Sequence, residues 1–576
     1  MNYQAIYDIA EICARKGIEH VVLCPGSRCA PLTLAFSRQG SFKMHVFSDE
    51  RSAGFIALGL AQQTKQPVVV ICTSGSALYN LAPAVSEAYF SEIPLVILSA
   101  DRPSEWIGQH DGQTIFQQSI FGKHVKGSYQ LPQEYTPADN AWAINRMVNE
   151  AINLSQLQKH GPVHINAPFR EPLYPAKGES ITFSKDLRII DSQPSEAQLS
   201  ESTKKIFTEH WKTYNKILIV CGQEDKDSAL HQLLRYNAEK HALPVIADIL
   251  SNQHGLENSI QHADSFLGFA PEKLKESLQP ELLITVGKSI ISKQVKLFLR
   301  KYTPIVHWHI QEAGEVADTY QHLSHTVFVT PETFFTFLST LDKKESFDRQ
   351  KKENYKQLWA LEESKCIEVT NNFFPQTELN EFEVVKEVVT NLPSDCHLHL
   401  ANSMSVRYAN YIGLSTQHSN INVYANRGTS GIDGSTSTVV GHCLANPDVL
   451  NVLITGDIAF FYDRNAFWHN YSLPNLRIVL LNNHGGVIFK LIDGPSDMPE
   501  ADALFVTQQK LNAKYLCVEH GIEHLPVDNR KKLKNMIHNL FERDGIPKIL
   551  EIESDPNLNK TIFESFKKSL KARYES

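Results

Sequence analysis

The sequence predicts an α/β protein of three consecutive domains, each with a parallel sheet flanked by helices. Three observations carry this expectation. Short, nearly continuous aliphatic runs alternate with helix-length segments, the pattern of parallel strands buried on both faces. At 576 residues the chain is too long for one hydrophobic core. Two polar or charged seams, "DSQPSEAQLSESTKK" from Asp191 and "LDKKESFDRQKKENYKQLWALEESK" from Leu341, divide the runs into three blocks. The expected domains are residues 1–185, 186–345 and 376–576, with 346–375 a solvated linker helix.

The first block opens on an amphipathic helix, "MNYQAIYDIAEICARKGIEH", and continues through the strands "HVVLC", "MHVFS", "PVVVICTS", "PLVILSA" and "PVHINA". The second carries "KILIVCG", "LPVIAD", "LLITVG" and "PIVHWHI", each followed by a plausible helix. The third contains two long aliphatic runs and ends on "PKILEIES" and a basic helix. "TSGSA" at Thr73 and "TSGIDG" at Thr429 echo one another, in what read as equivalent places of the first and third blocks. A hydrophobic content of 42% and a charged content of 21% are those of an ordinary globular protein. The net charge of −8 argues against nucleic acid or an anionic membrane as partner. No apolar stretch approaches the roughly 20 residues of a membrane span. With no visible signal peptide and nine scattered cysteines, mostly inside apolar runs, the expected setting is the reducing cytoplasm.

The third block holds the most informative chemistry. In "VLNVLITGDIAFFYDRNAFWHNYSLPNLRIVLLNNHGG", one buried run ends on Gly456-Asp457 and the next on Asn482-Asn483. If the two strands are neighbours in a parallel sheet, these turns share the crevice in which open α/β sheets bind ligands. Asp457, Asn483 and a backbone carbonyl near Gly485 would offer oxygen ligands to a hard divalent cation, leaving other positions for a diphosphate and water. Taken singly, each turn is also what any strand end would show.

The spacing from GD to NN resembles the signature of the thiamine diphosphate-dependent decarboxylase and ketolase superfamily, although Ile458 stands where GDG is common. The resemblance implies thiamine diphosphate with Mg²⁺, or Mn²⁺, held by Asp457, Asn483 and the Gly485 carbonyl. It also implies a pyrimidine-binding first domain, a central domain, and a diphosphate-binding third domain. Glu50 in "MHVFSDERSAGFIALGLA" is the expected acid for the aminopyrimidine ring, facing a cofactor held by another subunit. A homodimer or homotetramer with sites between subunits follows.

Arginines stand in Gly/Ser-rich strand ends: Arg28 in "CPGSRCAPL", Arg102 in "SADRPSEW", Arg407 in "ANSMSVRYAN" and Arg427 in "YANRGTSGIDG". A guanidinium fork grips carboxylates in a bidentate way, so the set argues for substrates with several carboxylates. With "FSDERSAGFIALGLA", "NRGTSGIDGSTST" and "NNHGGVIF", these segments are similar to the 2-succinyl-5-enolpyruvyl-6-hydroxy-3-cyclohexene-1-carboxylate synthase family of menaquinone biosynthesis, across all three domains. That resemblance implies decarboxylation of 2-oxoglutarate and addition of the remaining unit to isochorismate. It places substrate contacts on Ser27, Arg28, Arg102, Gln113, Lys293, Ser403, Arg407, Arg427 and Phe489. Among these, Arg102, Gln113 and Arg407 join Glu50 as catalytic candidates. Ser403, Ile432 and Ile488 fall on cofactor-lining positions, Ile432 on the one that bends the cofactor. Departures are Gly112 before the pocket glutamine, Gln294 after Lys293 and His484 after the asparagine pair. Another thiamine enzyme, such as an acetolactate synthase-like or simple 2-oxo acid decarboxylase, would share Glu50, Asp457 and Asn483 but not need the arginines. A binding protein on the same scaffold would need none of the three.

Overall fold

The computed structural model describes residues 3–341, 349–374, 378–491 and 494–575. Its strands form three all-parallel sheets. The first contains β1 (His20–Leu23), β2 (Lys43–Val46), β3 (Val68–Cys72), β4 (Leu95–Asp101), β5 (Ser128–Gln130) and β6 (Val163–Pro168) in the order 2-1-3-4-6-5. The second contains β7 (Ile217–Cys221), β8 (Val245–Ala247), β9 (Leu282–Val286), β10 (Val306–Gln311) and β11 (His325–Phe328) in the order 11-10-9-7-8. The third contains β12 (His397–Leu400), β13 (Asn422–Tyr424), β14 (Asn451–Gly456), β15 (Leu476–Asn482), β16 (Glu523–Val527) and β17 (Lys548–Glu553) in the order 13-12-14-15-17-16. Counted from its own first strand, the third sheet repeats the order of the first. Strands such as "VVVIC" and "LRIVLLN" are buried along their whole length because helices cover both faces, which explains their unbroken apolar character.

The repeat corrects one expectation. Thr73 follows β3, the third strand of its sheet, whereas Thr429 follows β13, the second strand of its own. The two TSG turns are therefore not equivalent. The true counterpart of Thr429 is the turn after β2, which carries Asp49 and Glu50.

The equivalent helices Glu50–Thr64 and Ser435–Ala445 pack on each other and join the first domain to the third. Glycine makes the approach possible: a Cβ on Gly59 would lie 2.0 Å from the Thr438 carbonyl oxygen, and one on Gly441 2.2 Å from that of Ile56. His442 closes the contact, its ring nitrogens 3.1 and 3.0 Å from the side-chain oxygens of Gln63 and Gln62.

The charged seam is not a solvated linker. Arg349–Phe373 is one helix whose Tyr355, Trp359, Glu362, Glu363, Cys366, Val369 and Thr370 are buried along one stripe. Tyr355 bonds the Leu278 carbonyl, Trp359 stacks edge-on against Phe266 and Phe298, and Glu363 accepts the Gln261 and His262 N–H groups. The expected boundaries at 345/346 and 375/376 lie outside the described residues. All nine cysteines are buried free thiols. No helix among the described residues is long and apolar enough to cross a membrane.

Candidate active site

β14 and β15 are hydrogen-bonded neighbours with Gly456 opposite Leu481, so Asp457 and the asparagine pair leave the sheet side by side at its carboxyl edge. Asp457 opens a short helix, Asp457–Tyr462, and is buried. Its Oδ1 accepts the Ile458 N–H (2.8 Å) and its Oδ2 accepts Gln509 Nε2 (2.7 Å). Burial pushes its carboxyl above the usual range, opposed by Gln509 and by the Ile458 and Gly485 N–H groups. Asn483 is buried, and its Nδ2 donates to Glu381 Oε1 (2.6 Å). Its Oδ1 has no hydrogen-bond partner among the described residues. Such an orphaned acceptor is costly unless a ligand completes it.

Gly485 follows at once, where a Cβ would meet Val506 Cγ1 at 2.8 Å and the Val506 carbonyl oxygen at 2.9 Å. His484 between them has a left-handed φ of 59° and a buried, unpartnered Nδ1. The Glu381 carboxyl is also raised by burial, with the Asn483 hydrogen bond opposing and the nearby Asp457 charge adding. The buried Asp457 carboxyl and the free Asn483 amide oxygen, with the second buried acid Glu381 holding the amide's other end, form an oxygen donor set that a dication would complete. The residues fit Mg²⁺ or Mn²⁺ on that ground. Ile488 and Phe489 follow in the helix Ile488–Leu491, both half-buried, with the Phe489 ring 5.9 Å from that of Phe505.

Glu50 is the first residue of its helix, behind the N-cap Asp49, whose carboxylate accepts the Arg51 and Ser52 N–H groups. Its Oε2 accepts Asn80 Nδ2 (3.0 Å). Both flanking residues are tied to the third domain: Asn465 donates to Asp49 (2.7 Å), and Arg51 bonds the Tyr462 carbonyl and lies 3.9 Å from Asp463. No hydrogen bond or ion pair among the described residues joins Glu50 to Asp457, Asn483 or Gly485.

The arginines fall into two pairs. Arg28 is buried beyond β1, bonded to the Phe169 carbonyl (2.9 Å) and 3.6 Å from Glu171. Burial first, then the charge of Arg102, holds its pKa below the arginine range. Arg102 follows β4, bonds the Gly112 carbonyl (3.1 Å) and lies 3.4 Å from Asp111. Ser27 is exposed beside Arg28, and exposed Gln113, at φ 58°, has its Cα 3.2 Å from where a Gly75 Cβ would stand.

The second pair sits between the third and middle domains. Arg407 bonds the Ser403 carbonyl (2.6 Å), and Arg427 bonds Asn402 Oδ1 (2.7 Å). Burial and then Arg407 depress Arg427, while Asp248 and Glu87 oppose; Asp264 faces Arg407. Ser403 itself has a φ of 73°. Lys293 is exposed at the first turn of the helix Lys293–Lys301, and its neighbours Ser292 and Gln294 both bond Asp264. Ile432 lies half-buried in the loop after Arg427. The structure thus brings Asp457, Asn483 and Gly485 together, and each arginine pair, while among the described residues no hydrogen bond or ion pair links Glu50 to that cluster.

Four residues here escaped sequence reasoning. Glu381 holds Asn483; Gln509 holds Asp457 and Asn482; Asn402 bonds Arg427 and the Asn426 and Gly431 carbonyls. Glu87, buried in the first domain, accepts the Gly428 and Thr429 N–H groups (2.8 and 2.7 Å) and so fixes the loop after Arg427. An acidic residue on a buried helix face, "AVSEAYF", was the available signal for Glu87.

Repeated parallel sheets with an oxygen-donor crevice suit a thiamine diphosphate enzyme, and the family matches establish that class. Residues 5–120 match the family model of the thiamine pyrophosphate enzyme N-terminal binding domain, and residues 189–400 match that of the thiamine pyrophosphate middle domain. The chain is similar over its whole length to the 2-succinyl-5-enolpyruvyl-6-hydroxy-3-cyclohexene-1-carboxylate synthase of Cytophaga hutchinsonii, with 46% identity and 100% of each chain covered. The synthases of Flavobacterium johnsoniae (37%, 98% of each chain) and Bacteroides thetaiotaomicron (36%, 99% of each chain) are similar over the same span. The chain belongs to the 2-succinyl-5-enolpyruvyl-6-hydroxy-3-cyclohexene-1-carboxylate synthase family, and it is a transferase of the thiamine diphosphate class.

Proposed function

We propose that the enzyme decarboxylates 2-oxoglutarate and transfers the remaining four-carbon unit to isochorismate, giving 2-succinyl-5-enolpyruvyl-6-hydroxy-3-cyclohexene-1-carboxylate and CO₂ in menaquinone biosynthesis. Thiamine diphosphate, when bound, supplies a carbon nucleophile that adds to the 2-oxo group and stabilises the charge left by CO₂. The observation that carries the substrate reading is the division of the arginines into two pairs, in which the charge of Arg102 acts on Arg28 and that of Arg407 on Arg427, each of the two also depressed by burial. Two neighbouring guanidinium groups are relieved by an anion between them, and two pairs suit two polycarboxylic substrates.

Asp457, Asn483 and Gly485 would hold Mg²⁺ or Mn²⁺ with the cofactor's diphosphate, and Ile432 and Ile488 would line its rings. Glu50 would exchange a proton with the aminopyrimidine ring. Ser27, Arg28, Arg102 and Gln113 would bind carboxylates at the first sheet, and Lys293, Ser403, Arg407 and Arg427 at the third, with Phe489 closing the apolar side. In the oligomer proposed here Glu50, whose carboxylate bonds Asn80 of its own chain, would serve a partner's cofactor. Exposed Phe116, Tyr515 and Val518 are consistent with faces covered by a second copy. A cytoplasmic enzyme is the setting that the free thiols support.

The test is CO₂ release from 2-oxoglutarate with thiamine diphosphate and Mg²⁺, with and without isochorismate, and mass analysis of the adduct. Adduct formation only with both acids supports the reading. Turnover of pyruvate without 2-oxoglutarate turnover overturns the substrate assignment and leaves the cofactor reading standing.

A further inference from the structure

The Asn483 side chain has two chemically different ends of nearly the same shape, and only one is useful to a hard cation. Its oxygen can ligate Mg²⁺ or Mn²⁺; its NH₂ cannot. Something must decide which end is left free for a ligand. The strand does not, because an amide can rotate by half a turn about its last bond without altering its packing. The deciding contact is with Glu381. This residue opens the helix Glu381–Thr390, behind the N-cap Asn380, and is 1% exposed. Its Oε1 accepts Asn483 Nδ2 at 2.6 Å and Ser554 Oγ at 3.3 Å, while its own N–H donates to Asn559 Oδ1 at 3.0 Å. Asn559 in turn donates to Ser554 (2.9 Å). A carboxylate oxygen accepts and does not donate, so it holds the NH₂ of Asn483 and turns Oδ1 away, toward the position where that oxygen is buried without a partner.

We propose that Glu381 is a positioning residue that fixes the amide of Asn483 in its metal-binding orientation; this rests on the reading of Asp457 and Asn483 as metal ligands. Partners of this kind orient the atoms that touch a metal, and their loss typically lowers affinity by about 10–100-fold. Glu381→Gln keeps the shape but offers Asn483 an NH₂ as readily as an oxygen, so the amide is free to turn. The double variant Glu381→Gln/Asn483→Asp exchanges the two chemistries. Its glutamine NH₂ donates to the new carboxylate, which presents an oxygen to the metal whichever way it rotates.

The experiment titrates Mn²⁺, followed by its paramagnetic resonance signal, into the purified full chain with saturating thiamine diphosphate. The expected result is a loss of about 10–100-fold in Mn²⁺ affinity for Glu381→Gln and recovery to within about threefold of the parent in the exchanged double variant. Unchanged affinity in Glu381→Gln overturns the assignment, as does a double variant as weak as the single one, which would mark Glu381 as support for the loop alone. If Glu381→Gln does not fold, the double variant decides: parental affinity sustains the assignment and an affinity as low as that of Asp457→Ala overturns it. An Asp457→Ala protein that binds Mn²⁺ like the parent overturns the metal-site reading itself, a result distinct from failure at Glu381 alone.

Discussion

The first and third sheets share one strand order and each has an arginine pair beyond its carboxyl edge, yet the turns beside those pairs differ in chemistry. Beyond β14 and β15 lie a buried aspartate, a free amide oxygen and a glycine against Val506, all suited to a cation. Beyond β1 and β4 of the first sheet lie Arg28 and Arg102, and beyond β2 lies Glu50. Under the proposed reading the same topology would serve a metal-binding turn in one sheet and a proton-exchanging turn in the other, with an arginine pair at each. Parallel sheets dictate where a site can form; the turn residues decide what it does.

The sharpest way to test this division is Glu50→Gln. Loss of a positioned proton-transfer group should lower turnover by about 10²–10⁴-fold, while Mn²⁺ affinity stays at the parental value. A parallel fall in metal affinity would break the division between the two edges. The arginine pairs come next. Removing a charged hydrogen-bond partner costs about 1.5–3 kcal/mol, so Arg102→Ala and Arg427→Ala should each raise KM by about 10–100-fold. Each should do so chiefly for one of the two acids, and not the same one. Equal effects of both variants on both substrates, in steady-state kinetics, would merge the pairs into one site.

A smaller effect belongs to the seam between the two domains. Gly59→Ala would drive a methyl group into the Thr438 carbonyl, a backbone atom that cannot step aside. Overpacking of this kind costs about 1–3 kcal/mol and should appear as a lowered Tm in thermal unfolding. The smallest effect is on pH dependence. Burial pushes Asp463 up to about 7, with Ser437 hydrogen bonds and Arg51 opposing. Its folded pKa lies above its unfolded one, so its contribution is full below the ordinary aspartate range and is lost as pH rises toward about 7. Asp463→Asn should flatten the fall of Tm between weak acid and neutrality; an unaltered slope would remove Asp463 from the account.

Much of this was legible in the sequence because strand ends in a parallel sheet are local features. "ITGD" and "LLNN" each announce a buried strand and its turn, and "FSDER" announces a strand and an N-capped helix. What stayed hidden was long-range. Glu381 is an ordinary acidic helix start in "ELNEFEVV", and nothing near it shows that it reaches Asn483. The helix Arg349–Phe373 was obscured by its charges, although Tyr355, Trp359, Cys366 and Val369 recur at helical spacing and mark its buried stripe. The TSG echo misled for a related reason: a turn's composition reports its conformation, not its place in the strand order.

The glycine contact between the helices Glu50–Thr64 and Ser435–Ala445 has a consequence for how the chain is made. Gly59 and Gly441 stand about 380 residues apart, and at synthesis rates of about 5–20 residues per second the second helix leaves the ribosome roughly 20–80 s after the first. For all that time the face of Glu50–Thr64 around Ile56, Gly59 and Leu60, where Gly441 will sit, has no native cover. The newborn first domain thus carries an open groove at Gly59 until its distant twin arrives. The groove that seats one helix on the other in the finished enzyme is the exposed patch of the unfinished one.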